Sequence, residues 1–387
     1  MAARLFVSTG EVSGDLHGSY LIQALRERRP DLEIQALGGR RMAQLGTPML
    51  SDTTTLSSIG VIEAIPYILP TLRIQVRLKK LLTSFRPDAV VLIDYIGSNV
   101  GVGKLAQRLG IPVIYYIAPQ EWVWRTFKGD TAQIVGFTDL ILAIFPEEAR
   151  FYTRHGGNVR WIGHPLVDIV RTSVSRAEFR ARMGTPPGAP VVVLTPASRT
   201  QELRHLMPLL FETARAIAAQ LPEVRFWLSV STPTFQEAIE QGAKAAGISV
   251  QFIPTGSHYD ALAAADLLLT KSGTINLEAA LLNLPQVVAY RVDPRTYWFA
   301  KKVMGFTIPY MCPVNLVEMS AVVPEFLQDK ATVETLSATS LELLKDPEAA
   351  QRMRKGYARV RAQLGEPGVI ARGAEAILKV LDGANRP

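Results

Sequence analysis

Cysteine is almost missing from the 387-residue chain: Cys312 stands alone, which rules out an intrachain disulfide and any cysteine cluster for zinc. A reducing cytosol fits best. The five histidines, at 17, 155, 164, 205 and 258, are scattered without metal-ligand spacing, and no metal is expected. No apolar run approaches the roughly 18 uninterrupted residues of a membrane span. The N-terminus lacks the basic-then-apolar pattern of a secretory signal, so a soluble or peripheral protein is expected. GxGxxG is absent, which argues against a dinucleotide site. Basic residues are dispersed without an interleaved aromatic stripe, which argues against nucleic acid.

What is present is globular: 48% apolar and 20% charged residues, with a length that favours two domains. The net charge of +7 suits an anionic partner, whether nucleotide, phosphosugar or phospholipid, and does not choose among them.

Short apolar strands alternate with helical patterns from the start. "ARLFVST", "LEIQALGG", "DAVVLIDY", "PVIYYIA", "LILAIF" and "VRWIGHP" read as six strands, mostly buried on both faces, the signature of a parallel sheet. After a polar stretch from Ser173 to Pro190 the pattern restarts with "VVVLTPAS", "VRFWLSV", "VQFIP", "DLLLT" and "QVVAYR". Two similar α/β domains facing across a cleft are expected, with ligands at the carboxyl ends of the strands. The division expected is 1–172, 173–345 and a helical tail, 346–387, crossing back to the first domain. Such a tail can also exchange between two chains, so a homodimer is one expectation. Ser58 to Leu82 is strongly apolar, carries Pro66 and Pro70, and turns basic at Arg73, Arg77, Lys79 and Lys80. A buried core helix is the favoured reading, and a surface among lipid headgroups the alternative.

Candidate chemistry sits in loops after strands. The first domain offers Glu11, Ser13, Asp15 and His17 in "STGEVSGDLHG", Asp94 and Asn99 in "IDYIGSN", and Gln120 and Glu121 in "YIAPQEWVWR". Helix capping is the plain alternative for Asp15 and Asp94. The second domain offers Arg199 in "TPASRTQEL" and Lys271, Ser272, Gly273 and Thr274 in "LLLTKSGTINLEAAL", cationic and amide-rich turns suited to a diphosphate. Glu278 lies a helical turn further on, placed for a sugar hydroxyl.

The ordered motifs "GEVSGDLHG", "SSIGVIEAI", "RPDAVVLID", "YIAPQEWVWR", "FPEEARFY", "IGHPLVD", "PASRTQEL", "SGTINLEAAL", "YRVDPRTYWFAKK", "PVNLV" and "VPEFLQ" resemble the lipid-A-disaccharide synthase family over essentially the whole chain. The resemblance implies a GT-B architecture of two Rossmann-like parallel-sheet domains and an inverting glycosyltransferase of lipid A and outer-membrane lipopolysaccharide biosynthesis. It implies transfer of 2,3-diacylglucosamine from UDP-2,3-diacylglucosamine to 2,3-diacylglucosamine 1-phosphate, giving a β-1,6-linked disaccharide 1-phosphate and UDP. No cofactor or metal is implied, and the location is cytoplasmic, peripheral to the inner membrane. Arg199, Lys271, Ser272, Gly273, Thr274, Glu278 and Asn315 of "PVNLV" would hold the nucleotide, and Glu11, Ser13, His17 and Asn99 would face the acceptor.

One position departs from the pattern. Family members often read "IDxPDFN" where this chain has "IDYIGSN", so the usual candidate for general base is Gly97 here. Asp15 or Glu121 is expected to compensate, with Asp94 structural and Arg199 neutralising the leaving group. The alternative is a related transferase with another acceptor, or a lipid-binding paralogue without turnover.

Overall fold

The computed structural model describes residues 2–53, 68–123, 130–230, 233–292 and 310–384. The expected elements at 58–67, Trp124 to Arg125 and Arg295 to Lys302 lie outside them. The chain divides into two compact units, Met1–Asp168 with Leu364–Pro387, and Ile169–Gln363.

In the first unit the described strands are β1 (Arg4–Thr9), β2 (Glu33–Gly38), β3 (Met49–Asp52), β4 (Ala89–Ile93), β5 (Val113–Tyr116), β6 (Leu140–Ala143) and β7 (Val159–Trp161). They form a seven-stranded parallel sheet in the order β3-β2-β1-β4-β5-β6-β7. The reading from sequence misses β3. "MLSD" is a half-exposed edge strand without an apolar run, and pairing with β2 makes it a strand.

The second unit holds β8 (Val191–Thr195), β9 (Arg225–Leu228), β10 (Val250–Phe252), β11 (Leu267–Lys271), β12 (Gln286–Tyr290) and β13 (Glu325–Leu327). Their order is β10-β9-β8-β11-β12-β13, again parallel. Here the short edge strand β13 is the one missed. Central strands β4, β5, β8 and β11 are buried at every residue, which is why they read as unbroken apolar runs.

Helix Ile68–Phe85 covers the first sheet. Ile74, Leu78 and Leu82, one turn apart, enter the core with Phe6, Val90 and Leu92. Its other face leaves Val76 73% exposed and presents Arg77, Lys79 and Lys80 to solvent. The helix is therefore both a core helix and the owner of an exposed apolar and basic stripe. No described helix is long and apolar enough to cross a membrane.

Helices Val333–Lys345 and Pro347–Leu364 lie with the second unit, and only Val369–Ala384 packs on the first. Asp168 accepts the amides of Gly368 and Ile370 at 2.6 and 2.8 Å, and Arg372 donates to the Ile162 carbonyl. Gly163, at φ +90, lets the returning chain pass: a Cβ there would meet the Leu364 carbonyl oxygen at 2.9 Å.

In each sheet the strand order reverses beside the first strand, between β1 and β4 and between β8 and β11. At such a switch point the flanking loops diverge and leave a crevice at the carboxyl edge. Glu11 and Tyr95 follow β1 and β4; Arg199 and Ser272 follow β8 and β11.

Candidate active site

At the first switch point the backbone is strained. Asp94, Tyr95 and Ile117 all have positive φ, at 51, 33 and 62°. Bulky residues avoid this region, and its use clusters at functional sites. Hydrogen bonds hold the bend. The Asp94 amide donates to the Ile117 carbonyl at 2.9 Å, and the Asp94 carbonyl accepts from Tyr115 Oη and Asn99 Nδ2 at 3.0 Å each.

Asn99, expected to face an acceptor, is instead wholly buried. It also accepts from Ser8 Oγ at 2.8 Å and donates to the Ile93 carbonyl, tying β1 to the turn after β4. Asp15 is 4% exposed, and its carboxylate accepts the amides of Gly39, Arg41 and Met42 at 3.0, 2.8 and 3.2 Å. These bonds cap the short helix Arg40–Gln44, so Asp15 shapes a neighbouring loop instead of meeting an acceptor hydroxyl. Glu121 is 3% exposed, in the interior where its charge bears on Tyr115 and Tyr152. Neither compensating base proposed from sequence stands at an open edge. Glu11, the N-cap of helix Val12–Arg28, and Ser13 in its first turn are half-buried.

His17 is buried and packs edge-on against His164, ring centres 5.8 Å apart; Phe145 and Trp122 extend the aromatic cluster. Burial, with His17 beside it, pushes the His164 imidazole well below its usual range. Its Nδ1 accepts the Leu166 amide at 3.2 Å. Beneath the cluster Glu148 accepts the amides of Ala118, Ile144 and Phe145, joining the loops after β5 and β6. Burial pushes its carboxyl up to about 8, against the pull of those amides and with Asp94 adding to the rise. Nothing in composition marks Glu148 out, although a Glu three residues after a helix N-cap is a capping signal.

At the second switch point the organising residue is Glu202, which sequence reasoning passed over. Its Oε2 accepts the Ser198 amide and hydroxyl at 2.6 and 3.2 Å and the Arg199 amide at 3.1 Å. Its Oε1 lies 3.6 Å from Arg199 Nη1 and 3.4 Å from Lys271 Nζ. One buried carboxylate thus gathers two cations from adjacent strand ends and leaves the group net positive. "SRTQE" carried the signal, as a capping glutamate at the third helical position.

The turn after β11 is more self-contained than expected. The Ser272 hydroxyl donates to the Met311 carbonyl at 2.6 Å, and the Gly273 amide to Asn276 Oδ1 at 2.8 Å. Two groups expected to meet phosphate are therefore bonded within the protein, while Thr274 is half-buried at the N-cap of helix Ile275–Leu281. Asn276 is itself locked by Lys271 and Gln286. Glu278 is mostly buried in that helix, and His258 Nε2 approaches its Oε2 at 3.0 Å while His258 Nδ1 lies 3.1 Å from Ser229 Oγ.

Asn315 is a correction. It is completely buried, donates to the Val323 carbonyl and Glu325 Oε2, and accepts the Val322 and Val323 amides. Its amide is saturated by the protein and cannot also bind a nucleotide. Glu325 accepts the Met311 and Cys312 amides, so the pair fixes the segment that Ser272 leans on.

Comparison with known proteins gives the arrangement its context. The chain matches the family described as lipid-A-disaccharide synthetase over residues 5–380. It is 45% identical over 381 residues to the lipid-A-disaccharide synthase of Gloeothece citriformis, covering 97% of this chain and 99% of the relative. The corresponding enzyme of Prochlorococcus marinus is 46% identical over 386 residues, covering 97% and 98%. Among solved structures, the UDP-GlcNAc 2-epimerase of Neisseria meningitidis bound to UDP-GlcNAc superposes with a TM-score of 0.67 at 14% identity, covering 98% of this chain and all of that one. That likeness shows the fold alone. The relatives give no support to a paralogue without turnover. The chain belongs to the lipid-A-disaccharide synthase family and is a glycosyltransferase that forms the lipid A disaccharide.

Proposed function

We propose that the chain transfers 2,3-diacylglucosamine from UDP to the 6-hydroxyl of 2,3-diacylglucosamine 1-phosphate, with inversion at the anomeric carbon, releasing UDP. The observation that carries this reading is the convergence of Arg199 and Lys271 on Glu202 at the second switch point. A fixed cationic group at a strand-to-helix turn stabilises the negative charge that develops on a departing diphosphate. Glu278, held by His258, is placed to accept hydrogen bonds from the donor's hydroxyls. The first unit takes the acceptor, through Glu11 and Ser13 at its switch point.

Diacylated substrates lie in a bilayer, so the enzyme works at a membrane surface, the cytoplasmic face of the inner membrane. The exposed stripe of Val76, Lys79 and Lys80 supports that, since an apolar side chain flanked by lysines suits anionic headgroups.

The test is product formation by the purified protein from the two lipid substrates in detergent micelles with chelator present. Disaccharide and UDP in equal amounts are expected; the absence of product overturns the reading.

A further inference from the structure

Glu202 divides its carboxylate between two tasks. Oε2 is taken up by the turn after β8, where it accepts the Ser198 amide and hydroxyl and the Arg199 amide. Oε1 is buried and accepts no hydrogen bond among the described residues; it faces Arg199 Nη1 at 3.6 Å and Lys271 Nζ at 3.4 Å. A charge-assisted hydrogen bond would bring such atoms to about 2.7–2.9 Å. The longer distances describe a counter-ion set between two cations and bonded tightly to neither.

The fold forces the three charges together. Glu202 lies in helix Thr200–His205, which follows β8, and Lys271 is the last residue of β11, the strand that pairs with β8 through Thr270 and Thr195. The Lys271 side chain is buried, and Gly273 makes room for its ammonium, since a Cβ there would stand 3.3 Å from Nζ. Two cations beside one another repel, and a buried ammonium without an opposing charge is strongly unfavourable. One carboxylate oxygen within 3.6 Å of both relieves the repulsion and the burial together.

We propose that Glu202 is a positioning residue for the transfer, the counter-ion that lets Arg199 and Lys271 stand side by side for the diphosphate. The inference rests on the transferase reading above. It goes beyond the helix cap, because the cap needs only an acceptor at Oε2, whereas the cation pair needs the charge at Oε1. E202Q separates the two: the amide oxygen can still accept the Ser198 and Arg199 amides, but the NH2 then meets two cations, donor against donor. With Lys271 also removed, Arg199 has no like charge beside it and the counter-ion is no longer required.

The experiment compares E202Q, K271M and E202Q/K271M with the wild type in the product assay, the donor varied, with thermal melting as a folding control. E202Q is expected to lower kcat by about tenfold, with KM for the UDP-sugar within about threefold, and E202Q/K271M to stay within about threefold of K271M in kcat. A cap alone would not show that dependence on Lys271, since its loss would lower kcat by the same factor whether or not the lysine is present. A kcat for E202Q within about threefold of wild type overturns the proposal, and so does a double variant more than about threefold below K271M. If E202Q does not fold, the double variant, which also lacks the opposing ammonium, carries the comparison with K271M by itself. Failure of the wild type itself to make product would reject the transferase reading instead.

Discussion

His258 holds the Glu278 carboxylate at 3.0 Å from Nε2, joining the helix that follows β10 to the helix that follows β11. Nδ1 of the same ring lies 3.1 Å from Ser229 Oγ, so a serine–histidine–glutamate chain fixes the direction in which Glu278 points. If Glu278 binds the donor, H258A loosens it without touching the chemistry. KM for the UDP-sugar is expected to rise about five- to tenfold, the equivalent of about 1–1.5 kcal/mol for one hydrogen bond, with kcat little changed. Steady-state kinetics with the donor varied measures it.

Arg199 is expected to behave differently. A group that stabilises charge only as UDP departs affects kcat, and R199A should lower it by about a hundred- to a thousandfold. R199K should recover only part, because a lysine lacks the planar fork that meets two phosphate oxygens at once. Equal losses for R199A and R199K would mean that the cation's charge is not what the site uses.

Glu148 gives a pH dependence with a definite sign. Its carboxyl is raised from 4.5 to about 8 in the folded chain. The folded state therefore binds that proton more tightly than the unfolded one. Its contribution is complete below pH 4.5 and is lost as the pH rises through 8. In E148Q this dependence disappears, so the difference in urea midpoint between variant and wild type should drift in the variant's favour from pH 5 to pH 8. At low pH E148Q is expected to be less stable by about 1–3 kcal/mol, because the glutamine's NH2 would face an amide that the carboxyl now accepts.

Asn315 separates structure from binding. N315A strips two backbone amides and Glu325 of their partner, and the second unit should lose about 1–3 kcal/mol or more to urea. At a temperature where the variant stays folded, calorimetry should find UDP affinity close to wild type. A large loss of affinity in a fully folded variant would place Asn315 in the site after all.

The alternation of strand and helix was legible in the sequence because the central strands, covered on both faces, are apolar up to their carboxyl ends. β3 and β13 were not, since edge strands with half-exposed side chains leave no such mark. The loops were legible for a related reason: parallel strands must all end on one edge, so polar residues after them gather there. The motifs that carry the family resemblance are local, and a sequence holds local order in full.

Which member of each loop faces outward was settled only by contacts between distant segments. Glu11 and Asp15 lie four residues apart in one helical turn. Asp15 is drawn into the amides of Gly39, Arg41 and Met42, and Glu11 stays half-buried at the start of the helix. Asn315 resembles a ligand in the sequence and proves to be a buried brace, because Val322, Val323 and Glu325 close on it. Gly97 reads as a departure from the family pattern, and only with β1 and β4 side by side does it emerge that a Cβ at Gly10 or at Gly97 would overlap the Tyr95 ring. The sequence by itself determined where apolar runs, turns and motifs fall. Burial, hydrogen-bond saturation and the space left by a glycine depend on neighbours brought together from far along the chain, and those the tertiary structure decided.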